Sequence, residues 1–196
     1  MIQAGIFVFP QVEELDFVGP FETLSAANTL VPGSIEVKLI AREEGPIEGA
    51  NGLRFLPSAN LEETGPLDLL ILPGGSGRRA ASEDRGVISF IQRQYESVRF
   101  LGTVCTGAFL AAKAGLLKNR RATTHHLFFE ELDSLEGVKV VEHRVVKDGN
   151  ILTAGGVSSG IDLSLWLLAL LFDPDFAKKA SEYIEYPFRP DQYREF

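Results

Sequence analysis

Cys105, the chain's single cysteine, stands at the junction of a stretch that reads as a buried strand, Arg99 to Val104, and a helix opening at Thr106-Gly107. A strand-to-helix elbow of this kind holds a nucleophile on a tight turn at the carboxyl end of a central strand. The amide dipoles of the following helix then favour the thiolate and lower its pKa. A small apolar cysteine used only for packing is the simpler alternative; the strand–Cys–Thr–Gly–helix setting favours the elbow.

Three further groups could serve such a thiol. Pro73-Gly74-Gly75-Ser76-Gly77 follows a second buried strand, so in a parallel sheet its loop opens on the same edge as Cys105. The Gly75 and Thr106 amides are then candidates for an oxyanion hole, with a plain tight turn as the alternative. A phosphate loop is disfavoured, because neither a Gly-Lys-Ser/Thr ending nor a complete Gly-x-Gly-x-x-Gly is present. Asp16 lies after the first strand and before a helix whose Pro20 suits a first turn; it is a candidate general acid/base or a helix-capping aspartate. Glu22 is explained by dipole compensation in that first turn. His125 and His126 follow Thr123-Thr124 at the start of a short helix. His125 is a candidate pocket residue or base for the cysteine, against a capping role. No Cys/His/carboxylate cluster has ligand spacing, so no metal site is expected.

The elements that must position these residues alternate. Apolar runs at Gln3–Phe9, Asp68–Leu72 and Ser97–Val104 read as buried strands, with helix-period stretches at Pro20–Leu30 and Gly86–Glu96 between them. That order predicts an α/β fold with a mainly parallel sheet. Ile35–Ala41 and Leu53–Phe55 read as strands, Val138–Val141 precedes a hairpin of Arg144–Lys147 against Ile151–Ala154 turning at Asp148-Gly149, and helices follow at Gly160–Leu171 and Asp175–Ile184. A single domain over 1–185 is expected, with 186–196 as a C-terminal surface arm.

The balance of 19 basic and 27 acidic residues, net −8, argues against a nucleic-acid partner, and the basic cluster Lys118 to Arg121 is too short to reverse it. The longest apolar run, Leu163 to Phe172, is half of what a spanning helix needs, so no membrane partner is expected. One cysteine and no visible signal peptide fit a reducing cytoplasm.

Five segments in this order resemble the DJ-1/PfpI superfamily: Asp16-Phe17-Val18-Gly19-Pro20-Phe21-Glu22, Leu72-Pro73-Gly74-Gly75, Val104-Cys105-Thr106-Gly107, Ala122-Thr123-Thr124-His125, and Gly155-Gly156-Val157-Ser158-Ser159-Gly160-Ile161-Asp162. Within it the chain is most similar to the isonitrile hydratase branch and to the amidase-like sensor domains of AraC-type regulators. The resemblance implies a flavodoxin-like three-layer sandwich, a homodimer, a small-molecule substrate and no cofactor. It maps the nucleophile to Cys105, the acid to Asp16 and the adjacent hydroxyl to Thr106; Gly74, Gly75 and His125, from the reading of the residues above, are the candidates for binding substrate.

The chemistry implied is attack of the thiolate on an isonitrile carbon, then hydrolysis to an N-substituted formamide. Thr106 stands where protease-like members carry histidine, which argues against a Cys–His peptidase, and Thr103 leaves the Gly-x-Cys-x-Gly elbow of glutamine amidotransferases half present. No helix-turn-helix pair follows, so a DNA-binding regulator is not expected. Glyoxalase-like carbonyl chemistry at Cys105 and a non-catalytic oxidative-stress sensor are the alternatives.

Overall fold

The computed structural model describes residues 1–189, 191 and 193–196. In chain order the elements are β1 (Ile2–Phe7), α1 (Glu14–Leu30), β2 (Ile35–Ala41), β3 (Ile47–Glu48), β4 (Arg54–Phe55), β5 (Ala59–Asn60), β6 (Leu69–Leu72), α2 (Arg78–Glu83), α3 (Arg85–Tyr95) and β7 (Phe100–Val104). They continue with α4 (Ala108–Lys113), β8 (Arg120–Ala122), α5 (Phe129–Asp133), β9 (Val138–Val140), β10 (Val145–Asp148), β11 (Ile151–Ala154), α6 (Ser159–Leu171), α7 (Pro174–Tyr183) and β12 (Tyr193–Glu195).

Eight strands form the main sheet in the order β12-β10-β11-β7-β6-β1-β2-β5. Every pairing in it is parallel except β10 with β11. Helices α1, α6 and α7 pack together as one layer and α2, α3 and α4 as another, giving the α/β sandwich expected from the strand–helix alternation. All four residues of β6 and the last four of β1 and β7 are buried. Covered on both faces, such strands need continuous rather than alternating apolar sequence. Because β7, β6 and β1 are adjacent and parallel, the loops after them open together at one edge, joined by the loop after β11.

Helix α1 begins at Glu14, six residues before the expected start, and Pro20 lies inside it. The N–H that proline lacks would have bonded the carbonyl of Asp16, in the first turn, so the helix loses one bond without breaking. Asp16 is therefore a first-turn helical residue rather than a loop residue, and Glu22 lies beyond the first turn. The helix crosses α6 closely: a Cβ on Gly160 would stand 3.0 Å from the Pro20 ring, and one on Gly19 3.1 Å from Ile161. This crossing holds the start of α1 beside the start of α6.

The hairpin turn is Gly149-Asn150, not Asp148-Gly149, since Asp148 still pairs with Ile151. Asp148 stays in the strand because its carboxylate accepts the Arg121 amide at 2.9 Å, and Gly149 takes φ +63°.

The segment 186–196 is only partly a surface arm. Tyr193–Glu195 adds the edge strand beside β10, and Tyr193 stacks on Trp166 of α6 with centroids 3.9 Å apart. Positions 190 and 192 of that arm lie outside the described residues. Among the described residues no helix is long and apolar enough to cross a membrane.

Candidate active site

Cys105 sits directly after β7 with φ +55°, a left-handed conformation that costs a non-glycine residue of order 1–3 kcal/mol and must be held by its surroundings. The holding bonds are visible. The Cys105 amide donates to the Gly155 carbonyl at 2.7 Å, and the Thr124 hydroxyl donates to the Cys105 carbonyl at 2.7 Å. The elbow is thus clamped by the loops after β8 and β11, and the residue is only 7% exposed.

Asp16 arrives from α1 and is fully buried. Its Oδ2 accepts the Gly74 amide at 2.9 Å, while Oδ1 is buried with no hydrogen-bond partner. Burial pushes its pKa up to about 7 against the pull of the Gly74 amide, with Glu13 adding to the rise and hydrogen bonding from the Cys105 thiol opposing it. Gly74 has no room for a side chain: a Cβ there would lie 2.6 Å from the Thr106 amide nitrogen and hydroxyl and 2.9 Å from Asp16 Oδ2.

The thiol itself departs from expectation. Burial, then the nearby Asp16 charge, push Cys105 up to about 12, although the Thr106 and Val157 amides donate to its sulfur and oppose the rise. In place of a helix opening directly after the cysteine, a single 3-10 turn, Cys105–Gly107, precedes the six-residue α4. Desolvation of the anion outweighs two amide donors.

Of the two amides expected to stabilise charge, Thr106 N–H points to the sulfur. The Gly75 N–H is instead engaged by the Thr106 Oγ1 at 3.1 Å. Accepting that bond leaves the Thr106 hydroxyl proton free for a ligand. Val157, without a chemically active side chain, was not singled out as a site residue. Its role is carried by its amide and by a left-handed backbone, φ +43°, which for a β-branched residue is a mark of constraint.

A cavity of about 550 Å³ opens onto the sulfur, lined by Glu13, Gly75, Arg78, Cys105, Thr106 and His125 among others. His125 reaches it but makes no hydrogen bond to Cys105 among the described residues. Its Nδ1 accepts the Leu127 amide at 3.3 Å, the capping role, and burial and His126 hold its pKa below the usual value. His126 faces a different cavity. Arg78 and Arg79 line the same cavity, a placement that no local sequence signal indicates, and Arg78 also borders the neighbouring cavity beside Phe109 and Leu135. The described residues include no His/Cys/Asp/Glu group able to hold a metal.

Behind Val157 lies a polar network. Arg144 Nε donates to Asp162 Oδ2 at 2.7 Å, Tyr186 donates to the same oxygen at 2.9 Å, and Arg144 Nη2 donates to the Ser158 hydroxyl at 3.0 Å. It ties the hairpin, α6 and the C-terminal segment to the loop that carries the Val157 amide.

An α/β sandwich with an elbow cysteine beside a buried acid defines the class: a family model described as the DJ-1/PfpI family matches residues 3–170, and the chain belongs to this family. The isonitrile hydratase of Pseudomonas putida is 36% identical over 189 residues, covering 96% of this chain and 80% of that protein. A glutathione-independent glyoxalase of Caenorhabditis elegans is 23% identical over 79% of this chain and 83% of its own length. The crystal structure of a ThiJ/PfpI family protein from Pseudomonas syringae superposes with a TM-score of 0.88 at 30% identity, covering 96% of this chain and 77% of that one.

Proposed function

We propose that this chain is a cofactor-independent lyase of the isonitrile hydratase type, acting as a homodimer in a reducing cytoplasm, with Cys105 as nucleophile and Asp16 as acid/base. The observation that carries the reading is the fully buried Asp16 carboxyl group, held by the Gly74 amide at the cysteine elbow, where burial pushes its pKa up to about 7. The identity with the Pseudomonas putida enzyme over 96% of the chain supports the choice of substrate class.

Isonitrile hydration asks for one mobile proton. The terminal carbon carries a lone pair and accepts both the sulfur and a proton, so a single group that takes the thiol proton and returns it to that carbon suffices. Ionised Asp16 is that group. As it removes the Cys105 proton, the S–C bond forms and the proton passes to carbon, giving R–N=CH–S–Cys105. Water, deprotonated by Asp16, then adds to the same carbon as the nitrogen is protonated. Collapse of R–NH–CH(OH)–S–Cys105 breaks the C–S bond, releasing R–NH–CHO and the thiol.

A pKa near the working pH keeps both forms of Asp16 populated, which suits a group that must accept and donate in one cycle. It also answers the high pKa of Cys105, because the thiol never has to ionise without its base in place. The Thr106 and Val157 amides support the sulfur as charge develops, and the Thr106 hydroxyl orients substrate or water.

Glyoxalase-like carbonyl chemistry would use the same pair, and the similarity to the Caenorhabditis elegans protein keeps it as the second reading. A peroxide sensor asks for a thiolate of low pKa, whereas burial and the nearby Asp16 push the Cys105 thiol up.

The test is NMR-monitored incubation of a simple alkyl isonitrile with wild type and Cys105→Ala. An N-formyl proton signal from wild type alone supports the hydratase. No formamide from several isonitriles, with consumption of methylglyoxal that depends on Cys105, moves the assignment to carbonyl chemistry.

A further inference from the structure

We propose that the Cys105 cavity selects small electrophiles that carry a carboxylate, read by Arg78 and Arg79. The inference rests on Cys105 being the reacting atom, as in the function proposed above, and not on which electrophile it takes.

Arg78 is the better built of the two. It is 6% exposed and lines the cavity, with its guanidinium 3.9 Å from the Phe109 ring centroid and 5.6 Å from that of Phe128. Stacking on aromatic rings fixes the plane of a guanidinium, which is what a planar carboxylate needs in a partner. One ion pair balances its charge: Nη2 donates to Glu131 Oε1 at 2.9 Å. That is its only side-chain hydrogen bond among the described residues, and no Arg78 nitrogen is sealed from solvent without a partner. Nε and Nη1 therefore keep donors to offer.

Arg79 lies next to it on the same cavity. It is exposed and has no carboxylate within ion-pairing distance among the described residues. The pair reverses the sign of the surroundings: a chain of net −8 repels anions in general, so a positive wall at one pocket is a local exception with directional value.

Acidic groups border the cavity as well. Glu13 lines it just before α1, and Asp16 stands behind. An electrophile with an anionic end is drawn to the arginines, which anchors it in the cavity that holds Cys105. A neutral electrophile has no such anchor. The same polarity would serve an isonitrile carboxylate or a 2-oxo acid.

Alkylation of Cys105 measures this preference without either substrate. Iodoacetate and iodoacetamide differ only in charge at the distal group. Each forms an S–CH2 bond, expels iodide and sends the thiol proton to solvent. As the chain has one cysteine, intact mass follows that site alone. The quantity read is the iodoacetate to iodoacetamide rate ratio at low ionic strength, divided by the same ratio for 2-mercaptoethanol.

Carboxylate selection predicts a normalised ratio of roughly 10 for wild type, falling several-fold in Arg79→Gln and further when Arg78→Lys is added, since an ammonium keeps the charge but loses the fork. A wild-type ratio near one, or a high ratio unchanged in Arg79→Gln, overturns the proposal. Arg79 is exposed, so its variant keeps the test decisive even if the Arg78 substitution fails to fold. The two readings fail separately. A high, arginine-dependent ratio without formamide formation removes the hydratase assignment alone, whereas formamide formation with a ratio near one removes the carboxylate selection alone.

Discussion

The Gly74 amide donates to Oδ2 of Asp16 at 2.9 Å, across 58 residues of sequence. This bond joins the loop after β6 to the first turn of α1 and holds a carboxyl group in a site where burial would otherwise expel it. It leaves the acid with one strong donor and a neighbouring thiol, enough to orient it and too little to keep it fully ionised at neutral pH.

Asp16→Asn keeps the shape and a carbonyl acceptor for Gly74 but removes the proton carrier. Turnover is expected to fall by about 10² to 10⁴, with a far-UV circular dichroism spectrum like that of wild type. Turnover within a few-fold of wild type would take Asp16 out of the acid/base role.

The same group makes stability depend on pH. Its folded pKa of about 7 is raised above the ordinary aspartate value of 3.8, so its contribution is fully present below about pH 4 and is lost as pH rises through 7. Over that window wild type is expected to lose about 2 to 4 kcal/mol relative to Asp16→Asn. Urea midpoints of both proteins at pH 5 and pH 8.5 measure it, and parallel midpoints would show that Asp16 titrates normally.

Gly74→Ala drives a methyl group into the Thr106 amide and hydroxyl. Overpacking of this kind costs about 1–3 kcal/mol, and since it also displaces Asp16, activity should fall more than stability does. Gly65→Ala meets nothing within 4 Å and serves as the neutral comparison. Melting temperature and kcat, measured together on both, separate the two effects.

Arg144→Met leaves Asp162, 2% exposed, without its charge partner. Breaking a buried pair from one side costs about 3–5 kcal/mol, and replacing both partners in Arg144→Met/Asp162→Leu should recover most of it. The single variant should also raise the pH at which Cys105 alkylates, because Ser158 no longer holds the loop that supplies the Val157 amide. An alkylation profile identical to wild type in a folded Arg144→Met would confine the network to stability.

Trp166 is the chain's only tryptophan and is stacked on Tyr193. Tyr193→Ala uncovers its indole and should shift its emission to the red, at a stability cost of about 1–3 kcal/mol, mostly from lost burial. Unchanged emission would show that the C-terminal strand does not cover Trp166 in solution.

The strands of the central sheet were legible because a strand covered on both faces needs an unbroken apolar run, and that pattern is local. So was the elbow, whose strand, cysteine and small residues are contiguous. The start of α1 was not, because proline was read as a first-turn residue and only the packing of Gly19 and Pro20 against α6 shows the helix running through it.

The chain's residue types by themselves determined which groups could react: one thiol, a candidate acid at Asp16, a glycine loop and the hydroxyl that follows the thiol. Their ionisation was decided by tertiary structure alone. A helix opening directly after Cys105 suggests a lowered pKa, yet enclosure by α1, the Gly74 loop and the Gly155–Ser158 loop removes the water that would stabilise a thiolate. Only the fold brings Val157 to the sulfur and the two arginines to the cavity that Cys105 lines, because their positions depend on which strands are neighbours. Desolvation and long-range juxtaposition are properties of the packed molecule, and no window of sequence contains them.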